Sequence, residues 1–226
     1  SSDLVPEVMN AYLAKYPNTP YKSEINTLLI SSYITSKNYK EALVLLEKNK
    51  SPENKLAYQK VTFYRGLELY TDGDYKGAYA LFKKSLAENK DTKFTARATF
   101  WKAETEYNLD QFEEAKLSFK QFLNSAEASN TPEFKNANYN LAYSYFKLKE
   151  YENAIQYFGD SFLLKLLNTY YPNEYFPINS ERMIDNALKI FKVNYQGLNA
   201  FEKNKKLNQP YQANKKNSVF FTINRQ

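Results

Sequence analysis

Four times along the chain an aromatic residue stands three places before an alanine: Tyr39 and Ala42, Tyr75 and Ala78, Phe112 and Ala115, Tyr151 and Ala154. Four places after each alanine comes a large apolar residue, Leu46, Phe82, Phe119 or Phe158. This spacing puts the three side chains on one face of a helix. The alanines are 36, 37 and 39 residues apart, room each time for two helices and a turn. Twelve places before them stand Ile30, Gly66, Ala103 and Ala142, small in three cases of four. A small residue at a fixed distance from an alanine is what two antiparallel helices need where they cross tightly. A bulky side chain there would force them apart, at a cost of roughly 1–3 kcal/mol.

This pattern resembles the tetratricopeptide repeat, a helix–turn–helix unit of about 34 residues. The resemblance implies an all-α chain, a right-handed α-solenoid of antiparallel helix pairs. It sets four repeats at 23–56, 59–92, 96–129 and 135–168, with Ile30 making the first the loosest. The extra residues fall between repeats, where Ser51-Pro52 and Thr131-Pro132 read as a helix N-cap followed by proline at the first helical position. Upstream, Tyr12-Leu-Ala-Lys-Tyr-Pro-Asn-Thr-Pro20 is similar to a helix ending found in tetratricopeptide proteins of bacterial envelopes. That likeness implies that residues 1–20 hold the second helix of a preceding half-repeat in a longer protein, and it favours a periplasmic or outer-membrane-associated location. Beyond Phe158 the pattern decays. Residues 180–211 thread as a degenerate fifth repeat or capping helices, with Tyr195 as the turn aromatic, Leu198 in the alanine place and Asn186 in the small-residue place. Residues 212–226 read as an irregular tail, and a slip of reading frame is a second account of the same decay.

Composition narrows the function classes. Of 226 residues 43% are hydrophobic and 17% aromatic, enough for a sizeable core, and five glycines with eight prolines leave long helices uninterrupted. No apolar run approaches the roughly 18 residues of a membrane span. The net charge is +6, but residues 161–226 hold 10 basic side chains against 4 acidic, so the excess lies beyond the four repeats. The neutral repeat region argues against an RNA-binding solenoid. There is no histidine and no cysteine, which removes histidine acid–base catalysis, Ser-His-Asp triads, disulfides and most zinc sites. The carboxylate pairs Glu104 with Glu106, Glu113 with Glu114 and Asp72 with Asp74 read as solvated helix or turn charge. Neither an enzyme nor a cofactor or metal site is expected.

The family's concave groove is lined by the second, fifth, ninth, twelfth and thirteenth places of each first helix. The resemblance therefore implies a binding surface of Lys60, Phe63, Leu67, Tyr70 and Thr71; Arg97, Phe100, Glu104, Tyr107 and Asn108; and Asn136, Tyr139, Tyr143, Phe146 and Lys147. Such a groove is aromatic with a few charges, suited to a peptide or helix of a protein partner. An alternative for several of these aromatics is packing of one helix on the next. The family members that grip chaperone C-termini use asparagine at the ninth place to hold a carboxylate. Here Ser31, Leu67, Glu104 and Tyr143 stand there, and Glu104 would repel such a ligand. A cut between repeats would also expose an apolar helix face through which copies could associate.

Overall fold

The computed structural model describes residues 4–49, 51–158, 164, 166–169, 181–190 and 193–209. Its elements are α1 (Leu4–Lys15), α2 (Lys22–Thr35), α3 (Tyr39–Lys48), α4 (Lys55–Thr71), α5 (Tyr75–Glu88), α6 (Thr92–Asn108), α7 (Phe112–Leu123), α8 (Phe134–Lys147), α9 (Tyr151–Phe158) and α10 (Glu181–Ile190). Residues 200–209 are also helical, and no strand occurs among the described residues. The chain divides into two compact units, Ser1–Ser144 and Tyr145–Gln226. In the first, each helix from α1 to α6 packs on its successor, and α4 also meets α6. This is the sequential packing of a tetratricopeptide-like solenoid.

Close crossing explains the repeated small residues. Ala42, Ala78, Ala103 and Ala115 are all fully buried. A Cβ placed on Gly66 would lie 2.8 Å from Cε1 of Phe82, whose ring is itself fully buried and part of the same core as Phe63, Ala78 and Ala98. Ile30 is accommodated in a separate cluster with Ala42, Leu46 and Val61. The outer face of α1 is different, for Val5, Val8 and Tyr12 are exposed.

The turn between paired helices repeats in the backbone even though its residues differ. Lys37, Gly73, Asp110 and Lys149 each stand two places before the turn aromatic and have left-handed φ values of 60°, 81°, 59° and 63°. The next residue donates its backbone N–H five places back: Asn38 to Tyr33 (2.8 Å), Asp74 to Leu69, Gln111 to Glu106 and Glu150 to Tyr145 (2.9 Å each). This six-residue closure satisfies a carbonyl at the helix end and reverses the chain.

Helix starts depart from expectation. Ser51 makes no capping bond, and Pro52 opens a 3₁₀ turn that leads into α4. The Thr131 hydroxyl donates backward to the Ala128 carbonyl at 2.7 Å, and α8 begins only at Phe134. The caps are supplied by aspartates: Asp74 accepts from the Gly77 N–H, and Asp91 from those of Lys93 and Phe94. Buried Gln59 of α4 ties the next pair in place. Its Oε1 accepts from the backbone N–H groups of Lys90 (3.0 Å) and Asp91 (2.8 Å), and its Nε2 donates to the Asp91 carbonyl and Thr95 Oγ1, both at 3.1 Å.

In the second unit Ala154, Leu164, Leu167, Ile184, Leu188, Phe201 and Leu207 are buried. Lys203 bridges Glu181 (2.9 Å) and Asp185 (3.1 Å) of α10. Asn199 caps the helix over 200–209: its Oδ1 accepts from the Phe201 and Glu202 N–H groups, while Glu202 accepts from that of Asn199. Tyr195 and Leu198 therefore lie ahead of the helix they were expected to open, and Ala200 is the small buried residue. The Asn186 side chain and the tail over 212–226 lie outside the described residues.

A left-handed lysine carries a Cβ penalty that glycine lacks, so Lys37→Gly should stabilise the fold by about 0.5–1 kcal/mol, and Gly73→Ala should destabilise it by a similar amount. Urea unfolding of the two variants checks both signs.

Candidate functional site

The first helices of three successive pairs, α4, α6 and α8, each send polar and aromatic side chains to one place. Tyr70 of α4 donates its hydroxyl to Glu104 Oε2 at 3.3 Å. Asn108, one turn after Glu104 on α6, donates its amide to the Tyr70 hydroxyl (2.9 Å) and to the Glu104 carbonyl (2.8 Å). Asn140 of α8 donates to the other carboxylate oxygen, Glu104 Oε1. Tyr107 and Tyr143 complete a pocket of about 220 Å³ lined by Glu104, Tyr107, Asn140 and Tyr143. The Tyr107 ring rests edge-on against Phe112, with 5.2 Å between centroids. Tyr143 meets Tyr139 in the same way at 4.9 Å, with the two hydroxyls 3.3 Å apart.

Burial raises the Glu104 pKa above its ordinary 4.5, against the opposing effect of the hydrogen bonds from Tyr70 and Asn140. The Tyr70 hydroxyl pKa is held well above its ordinary range, first by burial and then by the adjacent charge of Glu104, which accepts its hydrogen bond. Neighbouring carboxylates are neutralised differently. Glu106, expected to be solvated, is 1% exposed and paired with Lys102 at 2.7 Å. Glu133 takes Arg97 Nε at 2.9 Å and Trp101 Nε1 at 3.0 Å.

The other expected groove positions separate by depth. Phe63 and Phe100 are core residues. Phe63 packs on Phe82 and Phe94, and Phe100 on Phe119 and Phe122, so the fifth place of α4 and of α6 serves helix packing. Arg97 is held by Glu133 and lies over the Phe63 ring at 4.7 Å, so its charge is already matched within the chain. Lys60 sits near the Phe94 ring at 5.4 Å. Leu67 is half-buried, while Thr71, Asn136 and Lys147 are exposed. Phe146 belongs to the second unit, where it is buried against Tyr151. Asn140 was not among the expected residues because it occupies none of the family's groove places. Its position three residues before Tyr143 on one helix face was the available signal.

Residues 103–160 match the family model of the tetratricopeptide repeat. This part of the chain carries the tetratricopeptide repeat. The matched stretch runs from Ala103, at the tight place of α6, past Ala154 of α9. No curated protein matches the chain. Among the described residues no helix is long and apolar enough to cross a membrane. Within this tetratricopeptide framework Glu104 holds the ninth place of its repeat.

Because burial favours the protonated form of Glu104 in the folded state, its ionisation costs stability as pH rises above the ordinary value; below that value both states are protonated and the cost vanishes. Glu104→Gln should therefore raise the melting temperature at about pH 8 and lose that advantage as pH falls towards 4.5. A variant less stable than the parent at the higher pH would show that the ionised carboxylate holds the fold together.

Proposed function

We propose that this chain is a protein–protein interaction scaffold, which its match to the tetratricopeptide repeat supports, and that it grips an extended segment of a protein partner along the surface formed by α4, α6 and α8. The observation that carries this reading is the convergence of Tyr70, Glu104, Asn108, Asn140 and Tyr143 from three successive first helices into one connected surface with a pocket. Adjacent tyrosines give large contact area with few rotamers to freeze, and the asparagines offer donors and acceptors to a partner backbone. The fully buried phenylalanines beneath keep these helices in register, so the surface exists before the partner arrives and little ordering is needed on binding.

Panning a random peptide library against the chain tests this. Enriched peptides should bind the parent and lose affinity by about tenfold or more on combined Tyr107→Ala and Tyr143→Ala substitution. Far-UV circular dichroism should stay unchanged. Peptides that bind the double variant as tightly as the parent would place the partner surface elsewhere.

A further inference from the structure

Glu104, which is half-buried, differs from the buried glutamates of the first unit in what answers its charge. Glu106 and Glu133 each have a cation from the same chain, Lys102 and Arg97. Glu104 has none among the described residues, and only the neutral Tyr70 hydroxyl and Asn140 amide hydrogen-bond to its carboxylate. Each of these takes one oxygen, so each oxygen keeps acceptor capacity. The carboxylate opens into a pocket whose walls are the side chains of Tyr107, Asn140 and Tyr143. At about 220 Å³ the pocket is smaller than the roughly 300–1,000 Å³ of sites for drug-sized ligands, and it suits one side chain.

Resting on the partner-binding reading above, we propose that this pocket takes the cationic end of one arginine or lysine side chain of the bound segment. The match is in charge and in shape. An ionised carboxylate in a partly desolvated place gains most from a charged donor, whose hydrogen bonds are shorter and about twice as strong as neutral ones. Tyr107 and Tyr143 line the pocket beside it, and aromatic side chains are favourable neighbours for a guanidinium or ammonium. The same charge turns away a partner's terminal carboxylate, so the ninth place, which holds an anion in the chaperone-binding relatives, here selects the opposite sign. Burial disfavours the charged form of Glu104 while the pocket stands empty, and a bound cation would offset that cost.

The probes are Nα-acetyl-arginine methylamide and Nα-acetyl-lysine methylamide, with the neutral citrulline and norleucine derivatives as controls. Each is titrated into the whole chain while the Asn140 side-chain amide and the ring signals of Tyr107 and Tyr143 are followed by NMR. The expected result is a saturable shift with a cationic probe, none with either control, and affinity about tenfold weaker or worse in Glu104→Gln. Because the glutamine variant is expected to be at least as stable as the parent, lost binding would not reflect unfolding. No saturable shift at tens of millimolar, equal response to the neutral probes, or full binding in Glu104→Gln would each overturn the proposal. If library peptides still bind through Tyr107 and Tyr143 in any of those cases, the scaffold reading stands and only the cation pocket fails.

Discussion

The paired helices α4 and α5 approach so closely that the residue at their crossing has almost no room for a side chain. At Gly66 even a methyl group would press into the Phe82 ring, and that ring is enclosed by Phe63 and Ala78. Everything else in the first unit follows from the crossing. It fixes how far α5 stands from α4, and the Gln59 contacts to the start of α6 carry that placement into the next pair. Because the spacing recurs, the first helices come into line, and residues far apart in sequence meet. Tyr70 reaches Glu104, and Asn140 reaches the same carboxylate from the far side.

Polar groups are sorted by the same geometry. Where a carboxylate would be buried between helices, the chain supplies a cation, as Lys102 does for Glu106 and Arg97 for Glu133. Such pairs offset part of the desolvation of both charges, and removing one partner would leave the other buried without compensation. Glu104 lies at the edge of this interior, desolvated enough for its pKa to rise and without a cation from the described residues. A glutamine there could keep hydrogen bonding without the cost of a partly buried charge, so stability alone gives no reason for the carboxylate. Residues that cost stability without repaying it in the fold are expected where a surface is shaped for a ligand.

Much of the fold was legible because tight crossing leaves few alternatives. Small residues and turn aromatics at nearly constant intervals can be satisfied by paired helices and by little else. The depth of individual groove side chains was not legible. Phe63 and Phe100 share a family place with Tyr139, yet the first two are core and the third is exposed, since depth depends on which neighbouring helix lies above. Nor were the turns visible as a repeat, because Lys37, Asp110 and Lys149 adopt the left-handed conformation that only Gly73 announces by residue type. Asn140 escaped notice because its role exists only once α6 and α8 are side by side. The helix over 200–209 was placed several residues early because Tyr195 imitates the turn aromatic, whereas the Asn199–Glu202 capping box decides where the helix starts.

The central claim is that the first helices form the working surface while the second helices serve the core. Amide hydrogen exchange of the chain, with and without a saturating library-derived peptide, tests it most directly. The account predicts slowed exchange in α4, α6 and α8, with α5 and α7 unchanged. Protection centred on α5 and α7 would contradict it.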